Sequence, residues 1–232
     1  MGTCPANATY NASIKTTGLV FCMDAASKAY GVTAQDMTGS HTTALENGAV
    51  FDSDDYGSID FDGTDDYLST NLNKSAFSAT NTELTLDVWV NPDSNNSSHG
   101  ILCMLATGDG EYIELRMDGL KYMFHTRYNA LLRTTTYPAA IVGQWTNLTC
   151  VKSPGFIAIY LNGVLDTTAV PSSSSDNLTF GDESVTIGSR GSAENPSANY
   201  WNGQISVARV YNQAMSAWEV SQNYNATARR YA

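Results

Sequence analysis

The sequence predicts an all-β protein: two antiparallel sheets packed as a sandwich, with one short helix at the C-terminus. Three observations carry this. Strand-like segments with alternating apolar and polar residues follow one another from residue 17 to residue 211. Tight-turn dipeptides join several of them: Asp118-Gly119, Pro154-Gly155 and Asn162-Gly163. Only 15% of the 232 residues are charged, and Gly, Ser, Thr and Asn abound, a mixture that favours strands and turns over helical bundles.

"TGLVFCMDA" is the first clear strand. Residues 26–48 carry turn signals and read as a long connection. "GSIDFDG" and "DYLSTN" follow. "ELTLDVWVNP" then alternates without a break, with Leu84, Leu86, Val88 and Val90 on one face and Thr85, Asp87, Trp89 and Asn91 on the other. Pro92 ends it, lacking the N–H that a ladder needs. "GILCMLA", "YIELRMDG", "LKYMFHTR", "QWTNLTCVKS", "FIAIYLNG", "SVTIGSR" and "GQISVARVYN" continue the series. The last alternates imperfectly, placing Ile205, Val207 and Arg209 against Ser206, Ala208 and Val210. The Ser-rich stretch 171–177 reads as a loop. Two packed sheets around one core are the simplest assembly of these strands.

Ser216 and Glu219 form the N-cap and third position of a capping box, with Met215 and Val220 spaced as a hydrophobic staple. A helix over about 217–225 follows. It is too short to stand alone, so Trp218 or Val220 must dock on the sandwich. Residues 1–16 are polar and read as an N-terminal arm that is either disordered or laid across a neighbouring subunit. Residues 17–232 read as one domain.

The formal net charge of −11 repels phosphate backbones, so nucleic acid is not an expected partner. No run is long enough to span a membrane. "MGTCPANATYNASIK" has no apolar stretch of the signal-peptide kind. The four cysteines, Cys4, Cys22, Cys103 and Cys150, include no CxxC pair, which argues against zinc. Buried free thiols are the default for the last three, with a Cys103–Cys150 bridge left open.

The ordered set "SIDFDGTDDYLS", "LTLDVWVNP", "GQWTNLTCVK", "IAIYLNGVLD", "VTIGSR" and "WNGQISVARVYNQAMSAWEVSQNYNA" resembles the laminin-G-like, concanavalin A-like jelly roll over roughly residues 17–226. The closing "RVYNQAMSAWEVSQNYNATARRY" is similar to the end of such domains in virion proteins of tailed phages, marine and cyanobacterial ones especially. The resemblance implies a jelly-roll sandwich and a non-enzymatic virion structural protein. Such a protein would be a head decoration or cement subunit, or a surface appendage, with glycan-binding capacity. It would be assembled in the host cytoplasm, sit on the capsid or tail surface and contact other virion proteins, as a homo-oligomer for which a trimer is the reasonable guess. The alternative is a stand-alone carbohydrate-binding module for host attachment, including as a tail-fibre component.

No catalytic residues are expected. Relatives that hydrolyse β-glucans carry an E-x-D-x-x-E strand, which is missing here. Glu111 and Glu114, three apart on a strand, face opposite sides. For glycans, Asp87 and Trp89 share the polar face of one strand, and Tyr112, Glu114 and Arg116 that of another. The competing reading packs Trp89 under a loop or a neighbouring subunit. For metal, Asp62, Asp65 and Asp66 offer oxygens that suit calcium, or else are solvated turn residues. No other cofactor is expected. Many relatives place a structural calcium against a carboxylate of the last strand, but Ser206 stands at that position here.

Overall fold

The computed structural model describes residues 13–27, 34–54, 57–77, 82–95, 99–105, 112–126, 130–169, 183–191, 196 and 199–231. Most of the expected arm and the Ser-rich loop lie outside them. Among the described residues fifteen strands form two antiparallel sheets. The eight-stranded sheet holds β1 (Leu19–Asp24), β3 (Val50–Asp52), β4 (Ser58–Asp62), β6 (Leu84–Pro92), β11 (Thr146–Ser153), β12 (Phe156–Leu161), β13 (Val164–Ala169) and β15 (Asn202–Tyr211). Its order is β13-β12-β11-β6-β15-β4-β3, with β1 also paired to β15. The seven-stranded sheet holds β2 (Thr43–Glu46), β5 (Tyr67–Thr70), β7 (His99–Leu105), β8 (Tyr112–Asp118), β9 (Lys121–Thr126), β10 (Ala130–Arg133) and β14 (Thr186–Ile187), in the order β10-β9-β8-β7-β14-β5-β2.

One core fills the space between the sheets. Leu84, Leu86, Val88 and Val90 of β6 enter it, as their alternation predicts, and meet Leu68, Leu102, Ile113, Leu115 and Phe124 from the other sheet. The turn after β12 needs two positive φ angles, and Asn162 (φ 50°) with Gly163 (φ 76°) supplies them. In β15 the pairing to β6 shifts register between Ile205 and Val207. This bulge explains the imperfect alternation: Ile205, Ala208 and Val210 all enter the core, while Arg209 faces out.

The stretch expected as one long connection contains β2, so it is only partly irregular. Cys103 and Cys150 lie in different sheets and are both free thiols, buried between or behind strands, so no bridge joins them. Cys22 is disulfide-bonded, unlike the free thiol expected there.

The helix α1 (Ala217–Thr227) starts at the predicted capping box: Ser216 Oγ accepts from Glu219 N, and the Glu219 side chain accepts from Ser216 N. Met215 and Val220 are both buried in one apolar cluster, whereas Trp218 is 72% exposed. Val220, not Trp218, docks the helix. Residues 13–15 pack against it: Asn223 Oδ1 accepts from Lys15 N, and Gln222 Nε2 donates to Ser13 O. Among the described residues no helix is long and apolar enough to cross a membrane.

Candidate functional site

The expected glycan residues fall on opposite outer faces of the sandwich. Asp87 and Trp89 point away from the core on β6, and the C-terminal segment covers them. Trp89 is 2% exposed, stacked against Tyr231 (ring centroids 4.0 Å apart) and Tyr224 (5.8 Å), with Nε1 donating to Thr227 Oγ1 at 2.8 Å. Asp87 is fully buried and accepts from Arg209 (2.9 Å), Asn147 (2.8 Å) and Asn223 (3.0 Å). Burial would lower the Arg209 pKa, but Asp87, together with Tyr211 and Asp24, outweighs it and raises it. A saturated carboxylate under a helix and a buried ring stacked on tyrosines leave no exposed surface for a sugar. These two residues belong to the structural closure of the sandwich.

Ser206 is buried as well. Its hydroxyl donates to Gly57 O (2.6 Å) and accepts from Tyr231 Oη (2.7 Å). Burial is the main cause that pushes the Tyr231 phenol up to about 12, so it stays a neutral donor. Nearby, Arg230 forms a bidentate pair with Asp24.

On the seven-stranded sheet, strand register aligns one outward row across six strands: Ala44, Ser69, Thr186, Cys103, Glu114 and His125. Of the residues expected there, Glu114 and Arg116 are present. Tyr112 lies on the same strand, but its side chain falls outside the described residues. Glu114 is 1% exposed and takes a hydrogen bond from Arg116 (3.0 Å), an ion pair from Arg190 and His125 Nδ1 at 3.8 Å. Burial pushes the Glu114 carboxyl up, but His125 and the two guanidinium groups outweigh it and hold it below the usual range. Cys103, in the next strand, has its thiol pushed well up by burial and Glu114.

Arg190 reaches Glu114 because the segment 188–191 lies across this face. A Cβ on Gly100 would meet Arg190 N and the Ser189 carbonyl carbon at 2.4 Å, so only glycine lets that backbone descend. Thr186 Oγ1 anchors the segment by donating to Gly191 O (2.7 Å) and Ser189 O (3.2 Å).

At the other end of the same face an open groove of about 420 Å³ is lined by Thr42, Ala44, Glu46, Ser69 and Asn71, with Thr43 and Thr70 at its floor. Ser69 Oγ donates to Glu46 Oε1 (2.7 Å), and Asn71 Oδ1 accepts from Thr42 N (2.9 Å). Tyr67, opposite Glu46 in register, pairs its ring with Tyr200 at 6.5 Å. Hydroxyls, an amide and a carboxylate in one shallow groove, with a ring pair beside it at the register position of Glu46, are parts that suit a saccharide. Sequence reading missed Glu46, Ser69, Asn71 and Tyr200. The only local signal was alternation in "DYLSTN", which puts Tyr67, Ser69 and Asn71 on one face.

Asp62, Asp65 and Asp66 do come together, with one oxygen from each within 4.8 Å of the others. Asp66 Oδ2 accepts from Asp62 N (2.9 Å), and burial, then the neighbouring Asp62 and Asp65 charges, raise the Asp66 pKa.

Known structures share this architecture. Trypanosoma rangeli sialidase in complex with 2-keto-3-deoxy-D-glycero-D-galacto-2,3-difluoro-nononic acid superposes with a TM-score of 0.74 at 13% identity, over 98% of this chain and 36% of the sialidase. Domain 4 of AbnA, a GH43 extracellular arabinanase from Geobacillus stearothermophilus, in complex with arabinotriose, matches at 0.65 and 16% identity, over 90% of this chain and 100% of that domain. The receptor binding domain of a botulinum neurotoxin C/D mosaic serotype matches at 0.69 and 14% identity, over 89% of this chain and 51% of that one. The chain thus spans about a third of the sialidase and half of the toxin domain, and at these identities the likeness is one of fold. No curated protein sequence matches. A family model described as the concanavalin A-like lectin/glucanases superfamily matches residues 62–221, more than half of the chain, and the protein belongs to that superfamily.

Proposed function

We propose that the protein is a non-catalytic carbohydrate-recognition module that binds glycans on the outer face of its seven-stranded sheet. The groove beside β2 and β5 carries the proposal: Glu46, Ser69 and Asn71 present polar atoms next to the Tyr67–Tyr200 pair. The AbnA domain of the same fold is held with arabinotriose, and the toxin domain is a receptor binder. The carboxylates of Glu46 and Glu114 stand four strands apart, roughly 19 Å at about 4.8 Å per strand. Glycoside hydrolysis needs a pair at about 5–10 Å, which favours binding without cleavage. A glycan array probed with the wild type and with Tyr67→Ala/Glu46→Ala tests this. Binding by the wild type and its loss in the variant are expected. Equal binding by both would remove the groove from the account.

A second reading concerns where the module works. The closing segment 209–231 resembles that of tailed-phage virion proteins, which supports a decoration, cement or appendage subunit on a capsid or tail surface, oligomeric and joined to other virion proteins. Calcium at Asp62, Asp65 and Asp66 is the one accessory ion this reading accommodates. Mass spectrometry of purified particles tests it: absence of the chain from virions would exclude the role.

A further inference from the structure

The proposed glycan face is not electrically uniform. Its groove end carries Glu46. Its other end gathers basic groups: Arg116 and His125 on neighbouring strands, and Arg190 from the crossing segment, all against the single carboxylate of Glu114. This concentration stands in a chain with only 12 Lys and Arg and a net charge of −11. Within the cluster Glu114 is almost wholly buried, whereas the Arg190 side chain is 36% exposed. The negative partner is therefore inside and the positive one outside. Arg116 holds Glu114 through Nη1 alone, and its buried Nε has no hydrogen-bond partner.

We infer that this corner is an anion subsite, and that the glycan bound along the face carries a carboxylate or sulfate group that Arg190, supported by Arg116, receives. The inference rests on the carbohydrate-recognition reading above and specifies the sugar class. A guanidinium fork matches the paired oxygens of either group. Burying Glu114 beneath the arginines fixes their planes before a ligand arrives, so little ordering is left to binding. Ser69 and Glu114 are three strands apart, roughly 14 Å. One oligosaccharide can therefore lie with an uncharged unit in the groove and its acidic unit at the arginines.

The test uses matched oligosaccharides: uronic-acid chains against their carboxyl-reduced forms, and sulfated chains against desulfated ones. Titration calorimetry at low and physiological salt reads wild type, Arg190→Ala and Glu114→Gln. The wild type should prefer the charged member by about tenfold, less at high salt. Arg190→Ala should erase the preference and keep affinity for the uncharged member. Glu114→Gln, which removes the competing carboxylate, should strengthen binding of the charged member. Melting curves identify any variant that fails to fold, and the two substitutions act in opposite directions. Uncharged sugars bound with no preference for the acid would overturn this inference and leave the carbohydrate reading standing. So would a preference that survives Arg190→Ala. No binding to any sugar would overturn both.

Discussion

Trp89→Ala separates a structural from a recognition role for the aromatic residue that sequence alone leaves between a glycan face and packing under a loop or a neighbouring subunit. The indole is 2% exposed, stacked against Tyr231 and Tyr224, and hydrogen-bonded to Thr227. Deleting a buried tryptophan costs about 3–5 kcal/mol, a range that includes the lost stacking. For a chain of this size each kcal/mol lowers Tm by roughly 2–4 °C, so the expected fall is roughly 6–20 °C. Trp89→Phe keeps a six-membered ring but loses the pyrrole half of the indole with its N–H. Thr227 Oγ1 still donates to Asn223 O, so this variant should lose less than Trp89→Ala, about 1–3 kcal/mol for the lost hydrogen bond and the small void together. Urea denaturation followed by circular dichroism measures both. Below its transition Trp89→Ala should retain wild-type glycan affinity. An unchanged midpoint together with lost glycan binding would refute the reasoning, because it would mean that Trp89 meets ligand and not the C-terminal segment.

Asp87→Ala should cost about 3–5 kcal/mol, since it strands Arg209 in the interior; a denaturation midpoint within 1 kcal/mol of wild type would contradict the network. In pH, Glu114, Asp166 and Glu219 have lowered pKa values. Their contribution is full above the ordinary carboxylate range and is lost as pH falls through the lowered values. Asp60 and Asp66 are raised, chiefly by burial and then by neighbouring carboxylates, so they weaken the fold at neutral pH and this is relieved on acidification. Asp60→Asn should therefore raise the midpoint at pH 7 and not at pH 3, measured in EDTA; a loss at pH 7 would contradict the sign. Cys103 and Cys150 should not react with a thiol reagent in the native protein and should both react on unfolding, read by absorbance.

What the sequence disclosed follows its range. Alternation in Leu84–Pro92 is local, and so is the capping box at Ser216–Glu219; both appear as expected. That all nine residues of β6 are buried was not visible. The polar face of the strand becomes interior only because a helix more than 120 residues later lies on it, with Asn223 and Asp87 separated by 136 positions. β2 is four residues long inside a turn-rich stretch, too short for periodicity to register. The proposed glycan face is harder still. Its row takes one residue from each of six strands, and Arg190 joins it only because Gly100 lets a segment nearly 90 residues away descend. That Glu114 and Arg116 lie together was legible because they share one strand; His125 and Arg190 beside them were not, because register between distant strands is set by the packed core.

The closing segment carries the likeness to virion proteins, and nearly every distinctive residue in it has a packing role. Arg209, Tyr211 and Asn223 surround Asp87. Met215 and Val220 seat the helix. Tyr224, Thr227 and Tyr231 enclose Trp89, and Arg230 holds Asp24. A shared way of closing the sandwich accounts for these positions without any shared partner. Trp218 is the exception, 72% exposed on the outer side of the helix, with no part in the closure. It is therefore the residue in this segment that separates assembly from architecture. Trp218→Ala should leave the denaturation midpoint within about 0.5 kcal/mol. If the segment serves a virion contact, the same substitution should weaken retention of the protein on particles in a sedimentation assay, because exposed tryptophans are the usual anchors of interfaces. Retention equal to wild type would leave the segment explained by folding alone, and the virion reading would then have to rest on other surfaces.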